Sequence, residues 1–560
     1  MTGGEVLVAC LVREGVEVVF GLPGVQVYGV MAALRDERRI RFIATRHEQA
    51  TTYMADGYAR AGGNVGTALV VPGPGLFNAA SGLSTAYACS SPVLLIVGQV
   101  PRAFIDKGVG QVHEVEKQLE AVRAVTKWRK RVLDVSRIPS AVREAFEALR
   151  SGRPRPVAIE MPPEVMEEEG AAELLDPLPV ERTVPRASDL DRAAEILTAS
   201  ANPVIYAGGG VHTSGAHEAL RDVAERLEAG VIQSTEGKGS VSDESDLSLG
   251  AVLWPDGPLR RHFASADVIL AVGTRLALAR PRPEQQVIQI EIDPQEMGRN
   301  HQKTLPLLGD AKATLEELLI RLPRRESRKA ERERLRAEVA ATADQEPQAT
   351  ILKRLREAAP KDTILVPDMT QIGYYSRPFW PVYEGRTYLS SSYSQNLGFA
   401  YPTALGAKVA RPDRPVLALC GDGGFLYNAQ ELATAVQYGI HVVVVVFNDG
   451  SYGNVARDMD ESFGGSYGAE LKNPDFVKLA EAYGVRGVRV TTAEELGEKV
   501  REALAQDRSA LIEMPVGRMS APRFFPKLRG DRHQRPSRRG WGVRKDFEGL
   551  EAVRYFPKVK

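Results

Sequence analysis

The stretch Pro415-Val-Leu-Ala-Leu-Cys-Gly-Asp-Gly-Gly424 joins an apolar run to a glycine-rich turn that carries one acid. The apolar run predicts a buried strand, and the helix-forming residues from Asn428 to Gln437 predict a helix after it. A second apolar run, His441 to Phe447, ends in another polar glycine turn. Because parallel strands end at the same edge of a sheet, we expect Asp422 to lie close to the pair Asn448-Asp449.

Oxygen ligands beside glycine N–H groups suit a Mg²⁺ ion that also binds a diphosphate. A single Gly-Asp-Gly after a strand is commonly no more than a turn. The second acidic turn, one strand–helix–strand unit later, is the feature that indicates a site. On spacing alone, a metal–phosphate site and a pair of plain turns both stay open.

The rest of the chain also alternates apolar strands with helices, and 560 residues are too many for one core. We therefore predict an α/β fold with three doubly wound parallel-sheet domains. The expected domains span residues 1–165, 186–325 and 345–528, with an acidic, proline-dotted linker after the first. Residues 529–560 are expected to form a basic tail that lies on the surface or is disordered, with phosphate binding as the alternative.

The composition limits the classes of partner. Lysine plus arginine and aspartate plus glutamate both number 72, so no overall charge points to nucleic acid or a membrane surface. No apolar run approaches membrane-spanning length, and the first residues lack the basic stretch of a signal peptide. The three cysteines have no metal-ligand spacing and suit a reducing compartment. We expect a cytoplasmic protein that acts on a small molecule.

A second candidate group stands in the first domain, at Arg46-His47-Glu48. This tripeptide follows an apolar strand and precedes a helix, so the carboxyl of Glu48 is expected at the functional edge of the sheet, partly desolvated. Burial raises the pKa of a carboxyl, which suits a proton exchanger near neutral pH. The alternative is an ordinary glutamate at a helix N-terminus, stabilised by the helix dipole.

The triple glycine Gly208-Gly-Gly210 follows a predicted strand of the second domain. Glycines at this place can cradle a nucleotide phosphate, but they also form plain tight turns. The full Gly-x-Gly-x-x-Gly pattern and its partner acid are missing. Both interpretations stay open.

Together these features resemble the thiamine-diphosphate-dependent enzymes of the acetolactate synthase group, over about residues 3 to 525. The motifs that carry the resemblance are, in order, Phe20-Gly-Leu-Pro-Gly24, Arg46-His-Glu48, Gly73-Pro-Gly75, Gly98-Gln-Val-Pro101, Gly208-Gly-Gly210, Ile292-Asp-Pro294, Gly398-Phe-Ala-Tyr-Pro402, Gly421-Asp-Gly423 and Asn448-Asp449. The resemblance implies a pyrimidine-binding, a central Rossmann-like and a diphosphate-binding domain. It also implies thiamine diphosphate and Mg²⁺ as cofactors, and a homodimer or homotetramer with active sites between subunits.

The resemblance implies roles for single residues as well. Glu48 is the counterpart of the glutamate that hydrogen-bonds the aminopyrimidine ring of the cofactor and favours its imino tautomer. The implied Mg²⁺ ligands are the side chains of Asp422 and Asp449 and the main-chain carbonyl of Ser451. The implied contacts to thiamine diphosphate are Gly24, Asn78, Gln371, Leu397, Gly423, Gly424, Tyr452 and Gly453. Leu397 stands where an apolar residue props the cofactor into its bent shape.

Four departures from the synthase pattern bear on chemistry. Asp449 stands where relatives usually have asparagine, which adds one negative charge at the metal. His113, in Val112-His113-Glu114, replaces glutamine and is predicted to act as an acid or base on intermediates. Asn454 stands where the synthases tend to carry methionine near the substrate. The second domain lacks the Met-His-Gly and Arg-Phe-Asp-Asp-Arg stretches associated with FAD, which argues against bound FAD.

The leading expectation is decarboxylation of a 2-oxo acid with ligation to a carbonyl acceptor, as when two pyruvates give 2-acetolactate and CO₂. A related 2-oxo acid decarboxylase, or a lyase for 2-hydroxy ketones or 2-hydroxyacyl thioesters, is the alternative. A cofactor-binding subunit without catalysis is the alternative from another class. The presence of both Glu48 and the metal turn argues against that last hypothesis.

Overall fold

A computed structural model describes residues 1–62 and 64–523 of the chain. It contains three β-sheets, of six, six and five strands, and every pair of neighbouring strands is parallel. Clusters of buried apolar residues cover both faces of each sheet, and one cluster is shared by a face of the first sheet and a face of the third. This arrangement confirms the predicted α/β fold with three doubly wound parallel-sheet domains. The predicted basic tail, 529–560, lies outside the described residues.

The first sheet has the strand order β2-β1-β3-β4-β6-β5. Its strands are β1 Val18–Gly21, β2 Arg41–Ala44, β3 Gly66–Val70, β4 Val93–Gly98, β5 Trp128–Arg131 and β6 Val157–Met161. The helices of this part of the chain are α1 Gly3–Arg13, α2 Tyr28–Asp36, α3 Glu48–Gly62, α4 Pro74–Cys89, α5 Gln118–Ala121, α6 Ile138–Arg150 and α7 Pro163–Glu167. Strand β4 is fully buried along its length, as expected of an apolar run in the middle of a parallel sheet.

The second sheet has the order β12-β11-β10-β7-β8-β9. Its strands are β7 Pro203–Ala207, β8 Val231–Gln233, β9 Ser248–Ala251, β10 Val268–Val272, β11 Gln286–Glu291 and β12 Thr304–Leu308. The accompanying helices are α8 Ala187–Ala199, α9 Gly210–Ser214, α10 His217–Leu227, α11 Pro258–Ser265, α12 Ala311–Leu319 and α13 Lys329–Ala340.

The third sheet has the order β13-β14-β15-β17-β16. Its strands are β13 Ile364–Pro367, β14 Val416–Gly421, β15 Val443–Asn448, β16 Arg486–Arg489 and β17 Ala510–Pro515. The helices are α14 Gln348–Ala358, α15 Gln371–Phe379, α16 Ala400–Ala410, α17 Asp422–Phe425, α18 Leu432–Tyr438, α19 Gly453–Phe463, α20 Phe476–Ala482 and α21 Ala493–Ala505. Short 3₁₀ turns occur at Val25–Val27, Arg102–Phe104, Arg123–Val125, Val135–Arg137, Thr235–Gly237, Pro294–Glu296 and Ala429–Glu431.

Helix α3 of the first domain packs against helix α16 of the third at very short range. A Cβ atom on Gly57 would lie 2.0 Å from the carbonyl oxygen of Thr403, and one on Gly406 would lie 2.0 Å from that of Met54. The two glycines therefore allow the helix backbones to touch. The contact ties the helix that begins at Glu48 to the domain that carries Asp422.

Three local predictions differ from the structure. The glycine-rich stretch after β14 forms the short helix α17, and the predicted helix over Asn428–Gln437 is divided into the 3₁₀ turn Ala429–Glu431 and α18. Strand β15 extends to Asn448, so this residue ends the strand and the turn begins at Asp449. Among the described residues, no helix combines the length and the apolar character needed to cross a membrane.

Candidate active site

Asp422 is the first residue of α17 and directly follows β14. Its side chain is buried, with Oδ1 accepting from the N–H of Gly423 at 2.8 Å and Oδ2 from the N–H of Gly450 at 2.9 Å. Burial raises the pKa of this carboxyl above its usual value. The structure therefore brings the turn after β14 and the turn after β15 together at one edge of the third sheet.

Asp449 and Ser451 lie in that second turn. Asp449 Oδ1 accepts from the N–H of Ser451 at 3.0 Å and from its hydroxyl at 3.2 Å. Burial and, after it, the negative charge of Asp422 raise the pKa of Asp449. The charge of Arg518 offsets this rise only in part, and within residues 1–62 and 64–523 neither carboxylate forms a salt bridge. Two nearby carboxylates favour a bound cation, because a cation relieves both the repulsion and the desolvation. These residues therefore fit Mg²⁺.

Asn448 is committed to other partners. Its Nδ2 donates to Glu513 Oε1 at 2.8 Å, and its Oδ1 accepts from Asn473 Nδ2 at 2.9 Å. The same amide nitrogen of Asn473 donates to Asp422 Oδ2 at 2.6 Å. Of the Asn448-Asp449 pair, Asp449 is thus the side chain left to face a metal ion.

Glycines make room at the same edge. A Cβ on Gly453 would lie 2.3 Å from Asp449 Oδ2, and one on Gly423 would lie 2.5 Å from Cε1 of the Tyr452 ring. A Cβ on Gly424 would lie 3.1 Å from Asp368 Oδ2. A side chain at Gly453 or Gly423 would therefore displace a carboxylate or a ring, and one at Gly424 would fit only tightly.

Asp368, directly after β13, is a buried acid that the sequence analysis did not select. Its Oδ2 accepts from the N–H of Gly398 at 3.0 Å, and its Oδ1 from the N–H of Met369 at 2.7 Å. Burial raises its pKa to about 7, although the backbone hydrogen bonds lower it. Leu397 directly precedes Gly398, so Asp368 fixes the backbone that carries Leu397 beside α17.

Gln371 begins α15 at this edge of the sheet. Its side-chain amide lies 2.8 Å from Asn454 Oδ1 and 3.0 Å from Arg457 Nη1. Asn454 and Arg457 both belong to α19, the helix that follows the metal turn. The place where the synthases tend to carry methionine is therefore part of a polar cluster.

Glu48 lies at the edge of the first sheet as the first residue of α3 and is 9% exposed. Its Oε2 accepts from Asn78 Nδ2 of α4 at 2.9 Å. Within residues 1–62 and 64–523, Oε1 has no hydrogen-bond donor from the chain. The structure thus pairs the two predicted residues and leaves one carboxylate oxygen for a further partner.

His113 and Gly24 lie at the same edge. His113 Nδ1 is 3.2 Å from Gln26 Oε1, and its backbone has a φ of +67°, a region that few residues other than glycine and asparagine adopt readily. A Cβ on Gly24 would lie 2.4 Å from Val71 Cγ1, so this glycine packs directly on the strand end of β3. The turns after β1 and β3 and the loop of His113 therefore gather together.

The glycines Gly208 and Gly210 of the second domain allow two backbone segments to pack closely. The N–H of Gly208 donates to Val272 O at 2.9 Å, and that of Gly210 donates to Gly273 O at 3.0 Å. A Cβ on Gly208 would lie 2.4 Å from Gly273 O. The amides of Gly208 and Gly210 are used within the fold, which favours the tight-turn interpretation for these two glycines.

Comparison with known proteins gives three consecutive family matches. The N-terminal TPP binding domain of thiamine pyrophosphate enzymes matches residues 1–121, the central domain of these enzymes matches 190–318, and their C-terminal TPP binding domain matches 368–514. The chain therefore belongs to the thiamine-pyrophosphate-dependent enzymes, and it contains both of their cofactor-binding domains.

Within that class the chain is similar to acetolactate synthase large subunits, as the sequence predicted. It is 34% identical to the probable acetolactate synthase large subunit of Methanocaldococcus jannaschii, with 94% of each chain covered. It is 33% identical to the large subunit of acetolactate synthase isozyme 3 of Escherichia coli, over 91% of this chain and 93% of the relative. A probable 2-ketoarginine decarboxylase of Pseudomonas aeruginosa is 36% identical, over 92% of this chain and 94% of the relative.

Proposed function

We propose that the protein uses thiamine diphosphate and Mg²⁺ to decarboxylate a 2-oxo acid and to ligate the remaining acyl unit to a carbonyl acceptor. The leading case is the conversion of two pyruvates into 2-acetolactate and CO₂. The proposal rests on two features of the cofactor domains. In one domain, Glu48 is buried and its Oε1 has no donor among the described residues, and in the other domain the carboxylates of Asp422 and Asp449 are adjacent. The names of the synthase relatives support the reaction.

The proposed metal ligands are Asp422, Asp449 and the main-chain carbonyl of Ser451. Mg²⁺ is commonly held by one or two carboxylates, with phosphate oxygens and water completing its octahedron. In the described part of the chain, no three side chains of histidine, cysteine, aspartate or glutamate converge as a metal cage, which is consistent with such an open site. We propose Gly423, Gly424, Tyr452, Gly453 and Gln371 as the surroundings of the diphosphate.

Thiamine diphosphate, when bound, supplies the electron sink for loss of CO₂. In this proposal Glu48 holds a proton on Oε1, while Asn78 fixes the orientation of the carboxylate through Oε2. We propose that Gly24 and Leu397 contact the cofactor as well. We propose that His113 exchanges a proton with the reacting substrate, and the contact with Gln26 that orients its ring supports this role.

A second candidate function is simple decarboxylation of a 2-oxo acid with a polar side chain. The observation that favours it is the cluster of Gln371, Asn454 and Arg457 beside the metal turn, since polar groups there suit a hydrogen-bonding substrate better than a methyl group. The relative named as a probable 2-ketoarginine decarboxylase supports this alternative.

We also propose that the enzyme is a homodimer or homotetramer with active sites between subunits. Large apolar side chains next to predicted cofactor contacts support a partner subunit: Val25 is 60% exposed, Tyr28 55% and Phe77 50%. Light scattering after gel filtration measures the assembly directly. A monomer at working concentration would contradict this part of the proposal.

The function is tested by product analysis of purified protein with Mg²⁺ and thiamine diphosphate. The panel contains pyruvate, 2-oxobutanoate, 2-ketoarginine, a 2-hydroxy ketone and a 2-hydroxyacyl thioester. Acetolactate with CO₂ supports the leading proposal, whereas an aldehyde with CO₂ from 2-ketoarginine alone supports the second. Bound cofactor without turnover of any compound would favour a non-catalytic subunit. A visible absorption spectrum of the same sample reports whether FAD is present.

A further inference from the structure

The chain returns to the metal turn after helix α19. The N–H of Tyr452 donates to Ala469 O at 2.8 Å, the N–H of Leu471 donates to Gly450 O at 2.8 Å, and Ser451 forms an antiparallel bridge with Glu470. We call residues 469–473 the return segment. Because it pairs with the turn through backbone hydrogen bonds, its last residue, Asn473, is held over the carboxylate of Asp422.

The side chain of Asn473 connects both strand ends. Its Nδ2 donates to Asp422 Oδ2 at 2.6 Å and to Asn448 Oδ1 at 2.9 Å. The neighbours indicate the orientation of the amides: Glu513 accepts from Arg489 and from Asn448, so Asn448 presents its nitrogen to Glu513 and its oxygen to Asn473. The N–H₂ group of the Asn473 amide has two hydrogens, so it can donate to both oxygens at once.

Arg489 links Glu513, the partner of Asn448, to Asp475, which follows Asn473 in the chain. Arg489 Nε donates to Glu513 Oε2 at 2.8 Å, and Arg489 Nη2 lies 3.1 Å from Asp475 Oδ1. Asp475 caps α20 by accepting from the N–H of Val477 and lies two residues after Asn473. The contacts form a closed ring around the two turns, so the Asn473 amide has little freedom to move away.

We infer that Asn473 is a positioning residue of the metal site: it orients the Asp422 carboxylate for a divalent cation through the second hydrogen-bond donor on Oδ2. The inference rests on the proposed Mg²⁺ dependence. The presence of Asp449 supports the inference. Its carboxylate repels that of Asp422 when no cation is bound, and a fixed hydrogen-bond donor opposes rotation of the Asp422 side chain. Groups that orient metal ligands typically change metal affinity by about 10- to 100-fold when they are removed.

The test measures Mn²⁺ binding by electron paramagnetic resonance on the full chain with thiamine diphosphate and without substrate. We expect Asn473→Ala to weaken Mn²⁺ binding by about 10- to 100-fold, with activity restored at saturating metal. Asn473→Asp removes the donor but keeps the size, and we expect it to weaken binding as well. Lys472→Ala, an exposed neighbour, is the matched control and should bind as the wild type does.

The outcomes separate this inference from the proposed function. Wild-type protein that binds no Mn²⁺ with the cofactor present would contradict the metal site itself. Wild-type binding together with unchanged affinity in Asn473→Ala would overturn only the role of Asn473. Tighter binding in Asn473→Asp would also overturn it, since residue 473 would then act as a direct ligand. Circular dichroism of each variant verifies that the fold is intact.

Discussion

The carboxylate of Glu431 accepts a hydrogen bond of 3.1 Å from the backbone N–H of His47, the residue before Glu48. It also accepts from the N–H of Arg46 at 3.1 Å and from the hydroxyl of Thr434 at 2.5 Å. Glu431 belongs to the third domain and His47 to the first. The loop that delivers the proposed catalytic acid is therefore held by the domain that carries the proposed metal site.

Substituting Glu431 should change how stability depends on pH. Burial raises the pKa of Glu431 to about 7 from 4.5, although its hydrogen bonds lower it. Between these values the folded protein binds a proton that the unfolded chain has lost, so this group makes wild-type stability fall as pH rises. Glu431→Gln cannot titrate, and the free energy of unfolding of the wild type relative to the variant should fall by up to about 1.4 kcal/mol per pH unit in that window.

Urea unfolding of wild type and Glu431→Gln at a series of pH values between about 5 and 8 measures this difference. Equal slopes for the two proteins would contradict the buried, proton-binding state of Glu431. The variant should also lose turnover more than cofactor affinity, because the amide leaves the loop before Glu48 with a poorer acceptor.

Glu48→Gln should reduce turnover by at least about 100-fold, since proton transfer by a positioned side chain contributes roughly 10²–10⁴-fold. Its amide can still bond to Asn78, so affinity for thiamine diphosphate in the presence of Mg²⁺ should stay largely intact. Rates of CO₂ release and calorimetric titration with the cofactor test the two statements. Glu116→Gln, on the exposed loop after His113, serves as the control. Undiminished turnover in Glu48→Gln would refute the catalytic assignment.

His113→Asn tests the proposed substrate-side acid or base. Asparagine tolerates the positive φ of this residue, so the variant removes the imidazole with little backbone strain. We expect kcat/KM for the preferred 2-oxo acid to fall by roughly 100-fold and the order of preference within the substrate panel to change. Val112→Ala, at a side chain that is 69% exposed, should leave both unchanged. An unaltered substrate profile in His113→Asn would count against the role.

Much of the fold is readable from the sequence because buried parallel strands are continuous apolar runs. The apolar run from Pro415 to Cys420 predicts a strand, and β14 occupies it with Val416 to Cys420 all buried. The ends of helices and strands are harder to predict from the sequence. Asn448 looked like part of a turn, yet it completes β15 because its backbone pairs with Pro515 of β17, a partner that local pattern does not reveal.

The same contrast holds for the candidate site. Asp422 and Asp449 were identifiable because each follows a strand and lies among glycines. Asp368 also directly follows a strand, β13, but no glycine stands beside it, so only a rule based on strand ends alone would have found it. No motif in the neighbouring sequence marks Glu431 or Asn473 as a site residue. Their roles depend on contacts with residues 384 and 51 positions away, which only the folded chain brings together.

Gly57→Ala should destabilise the protein although alanine is the better helix former. The added methyl would lie 2.0 Å from the carbonyl oxygen of Thr403, so α3 and α16 would have to move apart. Overpacking of this kind typically costs about 1–3 kcal/mol. Gly62→Ala at the end of the same helix meets no atom closer than 3.2 Å and should be neutral or stabilising. Thermal and urea unfolding compare the two variants, and a stabilised Gly57→Ala would contradict the close helix contact.

Gly453→Ala tests whether the backbone after the metal turn must approach Asp449 closely. The new Cβ would lie 2.3 Å from Asp449 Oδ2, so the carboxylate or the start of α19 must shift. Because a displaced carboxylate no longer meets a cation at the required distance, Mn²⁺ affinity should fall by about 10-fold or more, within the range seen when groups around a metal are disturbed. Gly465→Ala, in the loop after the same helix, has no neighbouring atom within 4 Å and should bind Mn²⁺ normally. Equal affinity in the two variants would show that Asp449 takes no part in holding the metal.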